Sequence, residues 1–270
     1  MDKGPLIGRG RTADIYAWGD TQVLKLFLDW CPESMVRHEL AIAQVVQSAG
    51  LPVPRVEDSI VELEARLGLV YEKVSGRSML ENMTRRPWKM IAYGRWLAEL
   101  QAKIHMCRAP DLPLWSERLE RDISTADILP EMARHAALRK LAQLPQGTAL
   151  CHGDFHPDNI LITQSGPIVI DWMTAVRGNP MADVMRTSLL LRQGEVPSGM
   201  PGRRFIILLR ELFHSVYLRR YLNLSHTLRE EVDEWELPIA AARLNEGITN
   251  EQANLLRMVT RSVSGDERTN

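Results

Sequence analysis

The sequence predicts an α+β fold in two parts, a small β-rich N-terminal lobe (residues 1–74) and a larger helical C-terminal lobe (residues 75–270). Three observations predict it. Short β-prone runs separated by turn residues crowd the opening stretch of the chain. A long apolar stripe of helical period, Trp88 to Cys107, lies beyond them. Between the two stretches, Val74-Ser75-Gly76 breaks both patterns.

Thr12–Trp18 and Gln22–Leu28 are apolar, β-prone runs, and Gly19-Asp20 between them supplies the turn of a hairpin. Pro32-Glu33-Ser34 then opens a helix. Its apolar residues Val36, Leu40, Val45 and Val46 fit helical spacing loosely, and Gly50 stands where a glycine ends a helix. Pro52 and Pro54 break the chain, and Val56–Ile60 and Leu67–Lys73 read as further strands.

Helices dominate the remainder. Met90, Tyr93, Leu97, Leu100, Ile104 and Cys107 alternate spacings of three and four, which is one face of a helix. Arg203–Tyr221 reads as a second long helix, with shorter ones between Leu228 and Met258. One island of strand interrupts them: Ile160–Thr163 and Ile168–Asp171 flank the turn Gln164-Ser165-Gly166-Pro167. The polar tail Ser264–Asn270 is expected to fray.

Composition narrows the function classes. Thirty-three basic residues against 34 acidic ones leave a net charge of −1, so no global basic excess points to a nucleic-acid partner. Three cysteines (Cys31, Cys107, Cys151) without CxxC spacing argue against a disulfide scaffold or zinc ribbon. Met1–Pro5 lacks the apolar run of a signal peptide, and no stretch is apolar over a membrane-spanning length. The expectation is a soluble cytoplasmic protein with no membrane partner. Nothing in the sequence speaks to oligomeric state.

The most informative segment is His152-Gly153-Asp154-Phe155-His156-Pro157-Asp158-Asn159, a loop ahead of two strands. Asp154 and Asn159 are five positions apart, and Asp171 lies twelve beyond the asparagine. Phosphoryl transfer uses such a set: one carboxylate for the proton of an attacking hydroxyl, and an amide oxygen with a second carboxylate for Mg²⁺. His152, His156 and Asp154 also suggest a transition-metal site, which leaves Asn159 and Asp171 unexplained. Plain turn chemistry is a third account of the same residues.

The N-terminal part supplies candidate partners. Gly8-Arg9-Gly10-Arg11-Thr12-Ala13 fits G-x-G-x-x-A. A dinucleotide fingerprint must lead into a helix, whereas strands flank this loop. A glycine loop between strands can instead offer backbone N–H groups to phosphates. Lys25 lies mid-strand on the face of Val23 and Phe27, and Glu39 on the following helix is a possible partner. Taken alone, Lys25 reads rather as an exposed strand lysine, the usual case.

With these residues in order, the sequence resembles the aminoglycoside phosphotransferase and choline kinase family, small-molecule relatives of the protein kinases. HGDFHPDNIL (152–161) followed by IDW (170–172) carries the resemblance, which runs from Gly8 to about Val184. It implies a protein-kinase-like bilobal fold and ATP, or GTP, as phosphoryl donor with Mg²⁺. Asp154 would be the catalytic base, and Asn159 and Asp171 the Mg²⁺ ligands. Lys25, held by Glu39, would contact the α- and β-phosphates under the loop Gly8, Gly10, Arg11 and Thr12. The carbonyl of Glu72 and the amide of Val74 would bond the purine, with Tyr71 at the gate behind it. Asp183 would brace the catalytic loop, and His152 would pack and hydrogen-bond rather than carry protons. Trp172-Met173 stands where protein kinases have Phe-Gly.

The resemblance implies a small acceptor with a hydroxyl group, such as an aminoglycoside or an amino alcohol like choline. Thr227–Glu236 carries five acids and Trp235, which could receive an ammonium group but read first as a solvated helix with acids toward its N-terminal turn. The basic residues Arg203, Arg204, Arg210, Arg219 and Arg220 suit an anionic sugar or open water. Two competing readings remain: a pseudokinase acting as an interaction module, and a protein kinase. The first expects a lost catalytic residue, yet Lys25, Glu39, Asp154, Asn159 and Asp171 are all present. The second expects an activation-loop pattern that the chain lacks.

Overall fold

The computed structural model describes residues 3–193 and 202–266 of the chain. It runs β1 (Lys3–Arg9), β2 (Ala13–Trp18), β3 (Gln22–Phe27), α1 (Glu33–Ser48), β4 (Val56–Leu63), β5 (Arg66–Glu72), β6 (Arg77–Ser78) and α2 (Met79–Arg85). There follow α3 (Met90–Met106), α4 (Trp115–Ser124), α5 (Glu131–Gln143), β7 (Ala149–Cys151), β8 (Ile160–Thr163), β9 (Gly166–Val169) and β10 (Val176–Gly178). The helices α6 (Pro180–Arg192), α7 (Arg203–Ser225), α8 (Arg229–Asp233), α9 (Glu236–Arg243) and α10 (Thr249–Asp266) complete the chain. Helix α10 thus takes in Ser264–Asp266 of the tail expected to fray, and residues 267–270 lie outside the described residues.

The chain forms two compact units, Met1–Arg85 with Pro157–Ala175, and Arg86–His156 with Val176–Asn270. This differs from a single cut at 74/75. The β8–β9 hairpin belongs with the N-terminal sheet unit because β6 pairs with β8 and the Val169 amide donates to the Pro52 carbonyl at 2.8 Å. At Gly76 the approach is so close that a Cβ would stand 2.7 Å from the Ile162 carbonyl oxygen.

In the first unit, five antiparallel strands are ordered β1-β2-β3-β5-β4. Alternation along the strands gives two apolar faces. Phe27 and Leu69 pack with Ala13 and with Val36 of α1. Leu24, Leu26 and Val70 form the opposite face with Tyr16, Trp18, Val61 and Leu63. Helix α1 buries Val36, Glu39, Ile42 and Val46, while Leu40 and Val45 are only partly covered. The helix ends as expected, with Gly50 at φ 71° just past the cap.

Two turns are tighter than the sequence predicts. Strands β4 and β5 are joined by Glu64 and Ala65 alone, both in the left-handed region (φ 54° and 60°). That conformation matches the twist of the flanking strands, and no glycine or asparagine announces it. Lys3 Nζ, 2.7 Å from the Glu64 carboxylate, ties β1 to this turn. Similarly, Thr163 pairs with Gly166 across a two-residue turn, so β9 ends at Val169 and leaves Ile170 and Asp171 outside the strand.

In the second unit, α3 buries Met90, Tyr93, Leu97, Leu100 and Ile104, the stripe read from the sequence. Cys107 falls beyond it, as an extended cap residue. Helices α3 and α7 pack closely at Gly94, where a Cβ would meet the Val216 side chain at 3.0 Å. The ribbon of β7 and β10, three residues each, escapes sequence reading because strands so short show no period. Among the described residues, no helix is long and apolar enough to cross a membrane.

Helix α6 starts on Asn179, whose Oδ1 accepts the Met181 amide, with Pro180 in the first turn. This sets Asp183 in the interior at 0% exposure. Its carboxylate accepts the His152 amide (3.1 Å), the Gly153 amide (2.9 Å) and Gln101 Nε2 (3.1 Å), and His105 Nε2 lies 3.0 Å away. Burial alone would raise the Asp183 pKa, but the hydrogen bond and charge of His105, with Gln101 and His152, hold it below the ordinary value.

Gly147→Ala would place a Cβ 2.3 Å from the Gly178 carbonyl oxygen and 2.6 Å from the Asn179 backbone. It should lower stability by about 1–3 kcal/mol in denaturant unfolding, the usual cost of overpacking. Asp183→Asn should cost about 2–3 kcal/mol, since the amide turns one acceptor toward buried donors. Because the folded pKa of Asp183 is depressed, its contribution is complete above the unfolded carboxylate pKa of about 4 and fades as pH falls further. The stability gap between wild type and Asp183→Asn should therefore narrow below roughly pH 4.

Candidate active site

In the sheet unit, strand β3 carries Lys25 and helix α1 carries Glu39. Lys25 pairs with Leu69 of β5, which puts its side chain on the face that α1 covers. Lys25 Nζ donates to Glu39 Oε1 at 2.7 Å; the Glu39 side chain is buried (6% exposed) and that of Lys25 mostly so (15%). Removing one partner of such a pair leaves an uncompensated charge, a cost of about 3–5 kcal/mol. The same ammonium stands 3.8 Å from Asp171 Oδ1, and 5.5 Å above the Phe27 ring.

Asp171 follows directly from the early end of β9. It sits at φ 61°, a left-handed conformation that costs a non-glycine residue energy and recurs at functional sites. Its carboxylate is about half exposed. Asn159 is buried in a short turn of 3₁₀-helix, and its carbonyl accepts the Ile170 amide at 2.9 Å. This bond ties the two segments that carry Asn159 and Asp171. Trp172 donates its indole N–H to the Val169 carbonyl at 3.2 Å and is buried, which pins the chain just after Asp171.

The glycine loop is a tight β1–β2 turn. The Gly10 amide donates to the Ala13 carbonyl at 2.8 Å, Arg9 pairs with Asp14, and Gly10 and Arg11 are exposed. Neither Gly8 nor Gly10 has a positive φ. The Thr12 carbonyl accepts the Leu28 amide at 2.9 Å, and Ala13, at the third glycine position, is buried in the core. Glu72 ends β5, where its amide bonds the Arg55 carbonyl and the Lys73 amide bonds the Thr21 carbonyl. Val74 follows in irregular chain.

In the helical unit, Asp154 lies in the loop after β7. His156 Nε2 is 3.4 Å from Asp154 Oδ2, and Arg186 Nη2 is 3.8 Å from Oδ1. Burial pushes the Asp154 pKa up, but the hydrogen bond and charge of His156, then Arg186 and His152, outweigh it. The carboxyl is held well below the usual carboxylate range and is ionised at neutral pH. Arg186 is itself anchored: Nε donates to the Gly153 carbonyl at 3.0 Å, and Nη1 bonds Glu246. His152 has the packing role expected of it, with 0% exposure, an edge contact to Phe155 at 5.7 Å and Nδ1 accepting the Asp154 amide at 3.2 Å.

The structure thus brings Lys25, Glu39 and Asp171 together within one unit, with Asn159 tied to the Asp171 segment. Sequence reading missed Arg186, which lies one helical turn after Asp183; that spacing was the available signal. It also missed the hydroxyl of Tyr71, which donates to Glu39 Oε1 at 3.0 Å. The ammonium-binding reading of 227–236 needs correction. Trp235 is 3% exposed and offers no face to a cation. Glu231 caps the Leu228 amide, Asp233 pairs with Arg229, and Glu234 bonds Lys140.

Comparison with known proteins places this geometry. The model of the phosphotransferase enzyme family, APH, matches residues 4–235. Among curated proteins, no sequence matches the chain. A thermostable mutant of aminoglycoside phosphotransferase APH(4)-Ia in its apo form is similar in structure, with a TM-score of 0.65 at 18% identity over 98% of this chain and 95% of that one. An aminoglycoside-3'-phosphotransferase of type VIII gives 0.60 at 20% identity over 91% and 92%. The amicoumacin kinase hAmiN, in complex with AMP-PNP, Ca²⁺ and Ami, gives 0.60 at 14% identity over 97% and 88%. The fold is the protein-kinase-like fold of these enzymes, an antiparallel sheet lobe followed by a helical part. Since the family model takes in most of the chain, the protein belongs to the phosphotransferase enzyme family, as a kinase that transfers phosphate to hydroxyl acceptors.

Proposed function

We propose that the protein transfers the γ-phosphoryl group of ATP to a hydroxyl of a small acceptor, and that Asp154, Asn159, Asp171 and Lys25 carry the reaction. One observation supports this above the rest: the Lys25 ammonium lies within 4 Å of two carboxylates, Glu39 and Asp171, that are remote in sequence (2.7 and 3.8 Å). A cation so placed suits phosphate oxygens, with Glu39 as its anchor and Asp171 beside it. The turn Gly8–Thr12, exposed at Gly10 and Arg11, would lie against the phosphates, and the Glu72 carbonyl and Val74 amide would serve the purine.

The donor set fits Mg²⁺. Asn159 and Asp171 are hard oxygen ligands on two segments tied by a backbone bond, and the Asp171 carboxylate is half exposed. These two residues would hold the ion, which, when bound, offsets charge on the phosphates. Asp154 supplies an ionised carboxylate oriented by His156 and Arg186, and it accepts the hydroxyl proton. As the hydroxyl oxygen bonds the γ-phosphorus, the bond from that phosphorus to the bridging oxygen breaks and ADP departs.

For the acceptor we propose an aminoglycoside or a related amino alcohol. The support is that similar structures include aminoglycoside phosphotransferases and an amicoumacin kinase. The setting we propose is the cytoplasm, in keeping with three free thiols at Cys31, Cys107 and Cys151.

The test is ATP- and GTP-dependent phosphorylation of a panel of aminoglycosides, choline and other amino alcohols, read by mass spectrometry. Asp154→Ala should lower transfer by about 10²–10⁴-fold with ATP affinity nearly intact. Unchanged turnover in that variant sinks the base assignment. Chelation of divalent ions should abolish transfer, and added Mg²⁺ should restore it. Activity that persists in the chelator would remove the metal role of Asn159 and Asp171.

A further inference from the structure

Tyr71 belongs to the sheet that carries Lys25, two positions along β5 from Leu69. Leu69 faces Lys25 across the β3–β5 ladder, and Tyr71 faces Val23. Residues two apart share a face, so Lys25 and Tyr71 stand side by side under α1. Glu39, nearly one turn past the core residue Val36 on that helix, meets both. Its Oε1 accepts Lys25 Nζ at 2.7 Å and the Tyr71 hydroxyl at 3.0 Å. Its Oε2 is buried and, among the described residues, has no hydrogen-bond partner.

A carboxylate at 4% exposure needs its donors. Lys25 shares its ammonium between Glu39 and Asp171, whereas the Tyr71 hydroxyl donates to Glu39 from the neighbouring strand. It also anchors the carboxylate to β5, where Lys25 anchors it to β3. Burial first, and then the Glu39 carboxylate, push the phenol well above its ordinary pKa, so it keeps its proton and donates.

We propose that Tyr71 is a positioning residue, whose hydroxyl holds the Glu39 carboxylate in place so that Lys25 is presented to the phosphates of the nucleotide. This rests on the reading of Lys25 as a phosphate contact. It assigns to the residue at the gate a task that its hydroxyl performs rather than its bulk.

The test is a double-mutant cycle on Mg²⁺–ATP affinity by calorimetry, with thermal unfolding recorded alongside. Tyr71→Phe keeps the ring and removes only the hydroxyl. It should weaken Mg²⁺–ATP binding about five- to tenfold, the upper end of what an ordinary intramolecular hydrogen bond is worth. Lys25→Ala should weaken it at least as much, and the double variant should match Lys25→Ala within about twofold. A Tyr71→Phe affinity within twofold of wild type overturns the proposal, whatever the melting temperature does. So does a double variant whose losses multiply. If Tyr71→Phe does not fold, Tyr71→Met replaces it under the same criteria. Unchanged affinity in Lys25→Ala is a separate failure: it removes the phosphate contact itself, and the role of Tyr71 with it.

Discussion

A buried carboxylate and the ammonium that neutralises it organise the sheet unit. Glu39 gains its place in the core because Lys25 reaches it from β3, and Lys25 is tolerated between apolar neighbours because Glu39 receives it. The pair lies on the face of the sheet that α1 covers, beside the packing of Val36 on Phe27 and Leu69. It also leaves the ammonium close enough to Asp171 to feel its charge. Chemistry and packing are therefore the same contact here.

The helical unit solves a similar problem largely with backbone donors. Asp183 is fully buried, and two of the groups it accepts are backbone amides of the loop that leads to Asp154. Backbone donors cannot move without the loop, so the carboxylate fixes loop shape more firmly than a flexible side-chain partner would. Arg186, one turn along the same helix, reaches the Gly153 carbonyl and the Asp154 carboxylate. One helix face thus sets both the path of the loop and the charge around Asp154. The asparagine cap that starts α6 matters for the same reason, since it sets which residues fall on that face.

Legibility varied with period and with turn chemistry. The β2–β3 hairpin was readable because Gly19 and Asp20 announce its turn, and the α3 stripe because spacings of three and four repeat over 17 residues. The β4–β5 turn was not, because Glu64 and Ala65 carry no turn signal and take left-handed angles only under the constraint of paired strands. The end of β9 was misplaced for a related reason. Ile170 and Asp171 continue an apolar, β-prone run, but the two-residue turn at Gly166 uses up the register early and leaves Asp171 to bend out of the ladder. On α1, Ile42 joins Val36 and Val46 in the core where Leu40 and Val45 do not, a choice made by the sheet surface beneath.

Residue identity alone determined the chemical inventory: which carboxylates, which amide, which lysine, and their order along the chain. It determined the hairpins and helices whose side chains repeat at a period the backbone imposes. Tertiary structure alone decided which of those groups meet. That Lys25 lies between Glu39 and Asp171, that the Tyr71 hydroxyl shares the Glu39 oxygen, and that Trp235 turns inward away from its acidic neighbours are outcomes of packing. The physical reason is range. Local sequence specifies torsions and caps within a few residues, whereas a contact between positions 25, 39 and 171 depends on how whole faces bury their apolar surface, and the polar groups follow.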